Sequence, residues 1–382
     1  METQPLLAPV YVVRKRSNKF YYLLAIVATL LISSLVLFTH ISIDTNLPTV
    51  AEFSKALVTE QDSYKAMVVD YDGNGLYVES EISFADIKET QIHYDIRSND
   101  PKCMDHLFLK ETIANRTFTL YLETNYEHYN PPRVQVYITI HLPSYIKLDD
   151  FNGKGGLKWN GPTFPVHHFE AKSYSGSIKI DQLVSSELTA HASSGSVKLT
   201  KVSVDGQVNL KTSSGSITAR EVGATNLIMH ASSGSIHGTV LELKDSAEVK
   251  ASSGSVEFEG NLTNHEMDNV VKIITSSGNI RATVNNYKTI ECQASSGSIE
   301  LEGTPLKEET LSTLKTSSGS IRGTFFGFEG DFDSTTSSGS LRINGNVDYD
   351  VTKSHHKAGR VGSGSSSIKT SSGSGSTSLY FK

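Results

Sequence analysis

The stretch ASSGSIHG, Ala231–Gly238, decides the fold, because close copies of it (ASSGSV, TSSGSI, TSSGNI, TSSGSL) recur through the second half of the 382-residue chain. A run of serines around a glycine is either a flexible linker or a repeated structural unit. The copies are marked by the glycines Gly176, Gly195, Gly215, Gly234, Gly254, Gly278, Gly297, Gly319, Gly339 and Gly373, with spacings of 19, 20, 19, 20, 24, 19, 22, 20 and 34 residues. A linker has no reason to keep a period near 20, whereas a solenoid coil does, because each coil returns the chain to the same place on its neighbour.

The apolar pattern between the glycines also predicts structure. A β-prone apolar residue, such as Ile236, follows nearly every glycine by two positions, and a small residue, such as Ala231, precedes it by three. Both read as inward-facing, although they have opposite parity, so the strand phase slips by one residue at the motif. We therefore predict that the SSGS units are corners of stacked β-coils, with glycine at positive φ and the small serines allowing close stacking.

Insertions fall between the corners. The 24-residue spacing holds EGNLTNHEMDN, and the 34-residue spacing holds DYDVTKSHHKAGRVGSGSS. The last unit, TSSGSGSTSLYF, has Gly375 where an apolar residue is expected, which is typical of a terminal repeat that caps a stack. The predicted fold is all-β, a β-solenoid or β-prism of about ten coils. The solenoid spans residues 171–348, and residues 349–382 form an insertion loop and a capping coil.

Residues 66–170 form a β-rich region before the solenoid. The segments AMVVDY, LYVES, QIHYDI, TFTLYLET and RVQVYITIHLP alternate apolar and polar residues, as strands do. Residues 44–65 are predicted to be a stem, with a short helix within 45–65.

The N-terminus carries a predicted membrane anchor. Phe20–Thr39 contains no charged residue over 20 positions, enough for a helix of about 30 Å, the thickness of the hydrocarbon core of a bilayer. Arg14, Lys15, Arg16 and Lys19 precede it, so the positive-inside rule leaves residues 1–19 in the cytosol as a tail. We predict a single-pass type II signal anchor at 20–43 that tethers the lumenal or extracellular bulk of the chain to the bilayer; a cleaved signal peptide is the alternative.

Two kinds of short motif agree with this topology. Asn115-Arg116-Thr117 and Asn261-Leu262-Thr263 are N-glycosylation sequons, which predict a glycoprotein. In the tail, Glu2 stands four residues before the pair Leu6 and Leu7, in the pattern of an acidic dileucine signal read by clathrin adaptors. That signal predicts an endosome or vacuole membrane, with the cell surface as the alternative destination.

Composition excludes some classes of partner and scaffold. A net charge of −6 with scattered Lys and Arg gives no basic stripe of the kind that neutralises phosphates, so no nucleic-acid partner is expected. Cys103 and Cys292 are the two cysteines, too few for a disulfide-dense scaffold or a CxxC-type zinc site. Cys292 occupies an inward position and reads as a buried thiol, with a disulfide to Cys103 as the alternative.

The string VYITIHLPSYIKLDDFNGKGGLKW, followed by the ladder of SSGSI units and closed by IKTSSGSGSTSLYF, resembles the “putative adhesin” family of β-strand repeat proteins. The resemblance covers roughly residues 130–382. It implies a β-solenoid or β-prism placed on a surface. The family is largely a domain of unknown function, and the resemblance supplies no catalytic residue and no cofactor.

One segment matches a calcium-loop pattern. DYDGNGLYVESE, from Asp70 to Glu81, places Asp70, Asp72, Asn74 and Glu81 as weak candidate metal ligands. The flanking segments read as strands, however, so the favoured interpretation of DGNG is the turn of a β-hairpin.

No catalytic set stands out. Acidic residues are scattered over the coils, no nucleophile elbow is present, and the pairs His167-His168 and His355-His356 read as solvated loop residues. The sequence therefore favours a non-enzymatic, membrane-anchored solenoid that presents a surface to an unknown protein or glycan ligand, or that acts as a structural spacer. A glycan-active solenoid enzyme of the lumen or cell wall is the alternative, and it requires carboxylates that converge in a groove.

Overall fold

A computed structural model describes residues 47–58, 64–73, 75–126, 131–264, 269–307 and 309–382. These residues form 26 strands and one 3₁₀ turn, Cys103–Asp105. The strands are β1 Thr49–Val58, β2 Ala66–Asp72, β3 Leu76–Ala85, β4 Glu89–Ser98, β5 Leu107–Ala114, β6 Thr117–Thr124, β7 Val134–Pro143, β8 Asp150–Lys154, β9 Gly156–Ser173, β10 Ile178–Ala192, β11 Val197–Thr212, β12 Ile217–Ala231, β13 Ile236–Ala251, β14 Val256–Leu262, β15 Val270–Thr275, β16 Ile280–Tyr287, β17 Thr289–Ala294, β18 Ile299–Pro305, β19 Leu311–Thr316, β20 Ile321–Phe325, β21 Gly330–Thr336, β22 Leu341–Asn344, β23 Asp348–Lys353, β24 His356–Val361, β25 Ser366–Ser372 and β26 Thr377–Phe381.

The strands stack as two walls that share one apolar core. The pre-corner wall contains the segments that run into each corner, in the order β5, β6, β2, β8, the end of β9, the ends of β10 to β13, β15, β17, β19, β25, β21, β24, β23. The post-corner wall contains the segments that leave each corner, in the order β1, β4, β7, β3, the start of β9, the starts of β10 to β13, β14, β16, β18, β20, β26, β22. Pairing is parallel through the middle of the stack, which confirms a repeat-like all-β fold.

Each SSGS unit is a bend between the two walls. Ala231, three residues before Gly234, is 3% exposed, and Ile236, two residues after it, is 1% exposed. The intervening serines Ser232 and Ser233 are exposed. The predicted phase slip is confirmed, because the bend lets side chains of opposite parity enter the same core.

The predicted reason for glycine at the corners was wrong. All ten glycines predicted to form corners lie within the described residues, and none has positive φ. The corners instead stack on the corners of neighbouring coils: a Cβ built on Gly234 would lie 1.9 Å from the carbonyl oxygen of Gly215, and a Cβ on Gly297 would lie 1.7 Å from that of Gly278. Glycine is required because the backbones of successive coils approach too closely for any side chain.

The serine after each corner glycine contributes to a ladder of hydrogen bonds along the stack. The backbone N–H of Ser235 donates to Oγ of Ser216 at 3.3 Å, and the N–H of Ser255 donates to Oγ of Ser235 at 3.3 Å. At one corner Asn279 replaces the serine, and its Oδ1 accepts a hydrogen bond from the backbone N–H of Ser298 at 2.9 Å. The hydroxyls therefore satisfy backbone donors that the bend removes from the regular sheet.

Threonine at the third position before glycine ties two coils together. Oγ1 of Thr275 donates to the carbonyl of Gly254 at 3.0 Å and accepts from the N–H of Gly278 at 3.1 Å. Thr212, Thr316 and Thr336 make the same pair of bonds. The buried hydroxyl of a TSSG corner thus has both of its bonds, whereas an ASSG corner fills the position with a methyl group.

The sequence predicts that the coil nearest the C-terminus caps the stack. That prediction is wrong, because this coil lies inside the stack. Strands β25 and β26 pair with β19 and β20 on one side and with β21 and β22 on the other, so they lie between two coils that precede them in sequence. The corner glycine of this coil is Gly375 and not Gly373, because a Cβ on Gly375 would lie 1.9 Å from the carbonyl oxygen of Gly319. The inward residue two positions later is Thr377, which is fully buried. The hairpin β23–β24, from the predicted insertion, pairs with β21 instead.

The N-terminal part of the stack corrects two further predictions. Residues 49–58 form strand β1, antiparallel to β4, instead of a stem helix. Strands β2 and β3 do not pair as a hairpin: β2 pairs with β6 and β8, while β3 pairs with β7 and β9. The DGNG segment joins the two walls at a corner, and Gly73 and Gly75 there have positive φ.

The predicted tail, Glu2, Leu6, Leu7 and the anchor at 20–43 lie outside the described residues. Among the residues that are described, no helix is long and apolar enough to cross a membrane.

Candidate functional site

A groove lined by tyrosines opens on the outer face of the pre-corner wall, near its N-terminal end. Its volume is about 450 Å³, within the range of small-ligand sites. Tyr121 of β6, Tyr71 at the end of β2 and Tyr174 at the corner before β10 contribute the rings, and Tyr174 is 71% exposed. The strand order β6, β2, β8, β9 brings together residues that are about 50 positions apart in the sequence.

Charged groups complete the groove. Lys154 Nζ lies 2.7 Å from Asp70 Oδ1, and this hydrogen-bonded pairing raises the pKa of Lys154, so the lysine is charged at neutral pH. Asp72 is exposed, and its Oδ1 accepts a hydrogen bond from the N–H of Gly73 at 2.8 Å. The other oxygen of Asp72 can accept from a ligand, and the groove therefore combines aromatic faces with a hydrogen-bonding carboxylate.

The absence of a side chain at Gly155 allows the ring of Tyr71 to pack close to the backbone. A Cβ on Gly155 would lie 2.6 Å from the carbonyl oxygen of Val78 and 3.3 Å from the ring of Tyr71, and Gly155 has φ +99°. Glycine at the β8–β9 corner thus lets the Tyr71 ring pack against the backbone. Burial raises the pKa of Tyr71, so its hydroxyl stays protonated and available as a donor.

A second groove of about 460 Å³ lies at the corners of the post-corner wall. Serines of the hydrogen-bond ladder form one side, and paired charges form the other: His237 Nδ1 lies 2.9 Å from Glu257 Oε2, and Arg281 Nε lies 3.1 Å from Glu300 Oε2. Arg281 stands on the rung between the two glutamates. Carboxylates paired in this way resemble the charged ladder of a solvated face more than a general acid and base.

The weak metal candidates are not brought together. Asp70 lies on the pre-corner wall with Lys154, whereas Glu81 lies on the post-corner wall, 2.5 Å from Lys158 Nζ. Asn74 lies outside the described residues. In the part of the chain that the structure describes, no group of three or more His, Cys, Asp and Glu side chains is arranged to hold a metal ion.

The other singled-out residues are placed as follows. Asn115 is exposed at the β5–β6 turn, where Asn115 and Arg116 both have positive φ, and Asn261 is exposed near the end of β14. Cys103 and Cys292 are buried free thiols, and burial raises the pKa of Cys292 to about 12. His168 faces Glu187 at 3.4 Å and His356 faces Asp333 at 3.0 Å.

A family model, Toastrack DUF4097, matches residues 76–245 and 205–379. The chain belongs to the Toastrack family. The two matched ranges together cover most of the two walls and every SSGS corner. They include Tyr121, Lys154 and Tyr174 of the groove, whereas Tyr71 and Asp72 lie just before the first matched residue. A comparison with curated proteins finds no match.

Solved structures resemble the Toastrack walls at low identity. A “putative adhesin” from Parabacteroides merdae is 12% identical, with 86% of this chain and 95% of that chain covered and a TM-score of 0.32. A “putative lipid binding protein” from Parabacteroides distasonis is 15% identical, with 86% and 96% covered and a TM-score of 0.33. A “putative cell adhesion protein” from Clostridium sporogenes is 10% identical, with 87% and 100% covered and a TM-score of 0.19.

Sequence reasoning did not find the tyrosine groove. Asp70 and Asp72 were singled out for calcium, but Tyr71, Tyr121 and Tyr174 were not, because their proximity depends on which strands are neighbours. Tyr174 did carry a signal: it stands at the position two before a corner glycine, where most other corners have serine. A departure from the repeat consensus on an exposed face would have been grounds to examine that position.

Proposed function

We propose that this protein is a non-enzymatic, membrane-anchored binding scaffold of the adhesin type, and that the tyrosine groove is its carbohydrate-binding site. The observation that carries the proposal is the set Tyr71, Tyr121 and Tyr174 beside Asp72 in a groove of about 450 Å³. The apolar C–H faces of a sugar ring pack on aromatic rings, and its hydroxyls donate to carboxylates. Tyrosine supplies contact area at a small cost in conformational entropy, which suits a rigid surface site.

The rigidity of the scaffold supports a binding role. The groove is built on strands that pair on both sides, and each neighbouring coil fixes the position of the next. The described carboxylates in both grooves have cationic or backbone partners, and this supports recognition over catalysis as the function.

The groove is tested by glycan binding of the full-length protein on an array of neutral and acidic oligosaccharides. We expect the wild type to bind at least one glycan class, and Tyr174→Ala with Tyr121→Ala to lower that affinity roughly tenfold, because two stacking faces are lost. Tyr349→Ala, an exposed tyrosine at the other end of the stack, is the control and should bind as the wild type does. A wild type that binds no glycan, or a control that weakens as much as the double variant, contradicts the proposal.

The proposal places the walls outside the cytosol. The uncharged segment 20–43 would span the membrane, the Glu2, Leu6 and Leu7 signal would recruit a clathrin adaptor toward an endosome or vacuole membrane, and the cell surface is the alternative destination. Exposure of Asn115 and Asn261 supports this topology, because an oligosaccharyltransferase requires accessible sequons.

Glycosylation tests the topology. On expression in eukaryotic cells, endoglycosidase should increase the gel mobility of the wild type, and Asn115→Gln with Asn261→Gln should remove that shift. Thr119→Ala, a change on the same hairpin that leaves both sequons intact, serves as the control. A wild type that is insensitive to endoglycosidase, with a C-terminus digested by protease from the cytosolic side, would overturn the assignment.

A further inference from the structure

A continuous basic row runs along the outer face of the pre-corner wall, beginning at the tyrosine groove. Strand register places six basic residues on successive rungs: Lys154, Lys172, His191, Lys211, His230 and Lys250. At the roughly 4.8 Å spacing of neighbouring strands, the row is about 24 Å long. The expectation of scattered Lys and Arg with no basic stripe was wrong here, because residues 18 to 20 apart in sequence become neighbours in the stack.

The charge of this row depends on pH. Four carboxylates face it: Asp70 lies 2.7 Å from Lys154, Glu170 lies 2.5 Å from Lys172, and Glu248 pairs with both Lys250 and His230. The fourth, Asp72, lies in the groove with Lys154 and also favours its charged form. Four lysines against four carboxylates leave a local charge of about 0 at neutral pH, and protonation of His191 and His230 raises it to about +2. The two histidines therefore decide whether the row is about neutral or positive.

Both histidines are neutral at pH 7. Burial lowers the pKa of His191, the neighbours Lys211 and Lys172 lower it further, and Asn209 and Glu170 oppose them. Burial also lowers the pKa of His230, with Glu248 opposing and Lys250 and Lys211 assisting the shift. An anion bound along the row would favour the charged imidazoles, so binding would take up protons, and affinity would rise as pH falls through these pKa values.

We propose that this row binds a linear acidic polysaccharide, and binds it more tightly at endosomal than at neutral pH. An extended chain of pyranose units adds a length per unit close to one rung, so charged groups can follow the row. Exposed serines two residues toward the corner, such as Ser193 and Ser213, lie beside it and can bond to hydroxyls. Duplex DNA carries about one charge per 1.7 Å, far denser than the row, which makes nucleic acid the poorer fit.

The row shares Lys154 and Asp70 with the groove. The inference is nevertheless separable from the proposed carbohydrate site, because it depends on His191, Lys211 and His230, which lie outside the groove, and on a different ligand charge. The test measures binding of the full-length protein to immobilised heparin and to polygalacturonate at pH 7.4 and pH 5.0, at one ionic strength. For the wild type we expect affinity about tenfold higher at pH 5.0, with proton uptake by calorimetry in buffers of different ionisation enthalpy. Tyr174→Ala with Tyr121→Ala should keep this pH dependence even if neutral-glycan binding is lost.

Three variants make the test specific. His191→Gln with His230→Gln should keep the affinity at pH 7.4 and lose the increase at pH 5.0, Lys211→Ala should weaken binding at both pH values, and His237→Gln, on the opposite wall, should change neither. Equal wild-type affinity at the two pH values, or an equal loss in His237→Gln, would overturn the proposal. Binding of single-stranded DNA or phosphatidylserine vesicles as tight as that of heparin, with the same histidine dependence, would overturn the assignment to acidic polysaccharide.

Discussion

Replacing Gly234 with alanine should strongly destabilise the repeat. A Cβ at this position lies 1.9 Å from the carbonyl oxygen of Gly215 and 2.4 Å from its carbonyl carbon, so two coils must separate to admit one methyl group. The neighbouring backbone belongs to two sheets and cannot move aside as a flexible side chain would. We expect a loss of about 3 kcal/mol or more in the free energy of unfolding, measured by thermal unfolding followed by circular dichroism.

Gly223→Ala is the matched control for this change. Gly223 lies in the same strand-rich region, its φ is ordinary, and the nearest atoms to a built Cβ are 3.9 Å away. Alanine there should be neutral or slightly stabilising, because glycine in a strand costs conformational entropy. If Gly234→Ala unfolds at the same temperature as Gly223→Ala, the close approach between corners is not what requires glycine.

Ile236→Asp should destabilise the protein by several kcal/mol at pH 7. The side chain is 1% exposed in the core between the walls, where a carboxylate has no cationic partner to offset its desolvation. Burial would raise the pKa of the new carboxyl above its value in the unfolded chain. The pH-dependent part of the penalty is absent below the unfolded pKa and grows as pH rises toward the raised folded pKa, so urea unfolding at pH 7 and pH 4.5 should show partial recovery at the lower pH.

Ser232→Asp introduces the same charge four residues away on an exposed side chain of the same corner. It should change stability by less than about 0.5 kcal/mol, with no recovery at low pH. Similar destabilisation by the two substitutions would mean that inward and outward positions around the corner are assigned wrongly.

The sequence could predict the coils because each inward side chain packs against its own copies. Ala231 lies beside Thr212 and Ala251, and Ile236 lies beside Ile217 and Val256, so the burial rule is repeated at every period. The reason for glycine could not be read in the same way. Glycine is required because a carbonyl group of the neighbouring coil, some 20 residues away in the sequence, lies too close for a side chain. The local sequence does not reveal that contact, and it suggested a requirement for positive φ instead.

The order of the coils in the stack also could not be predicted from the repeat pattern in the sequence. Parallel strands with similar inward residues can pair in any order. The local sequence therefore does not predict that β26 lies between β20 and β22. The string SGSGS offers two glycines as the corner, and the choice of Gly373 failed because fully buried Thr377 was not expected to be the inward residue. The tyrosine groove could not be predicted for a related reason, because β6 pairs with β2 and not with β7, which follows it in the chain.

The inserted coil has a consequence for how the molecule is assembled during synthesis. Coils from β9 to β20 can be added in the order in which the ribosome makes them, each docking on a finished edge. Strands β21 and β22 emerge next, but their native partners β25 and β26 are still to be made. Residues 330–344 can therefore reach their native position only after residues 366–381 have been made and have paired with β19 and β20. Coil addition can therefore follow the order of synthesis as far as β20, whereas the native order of the last coils requires the C-terminal residues to be present first.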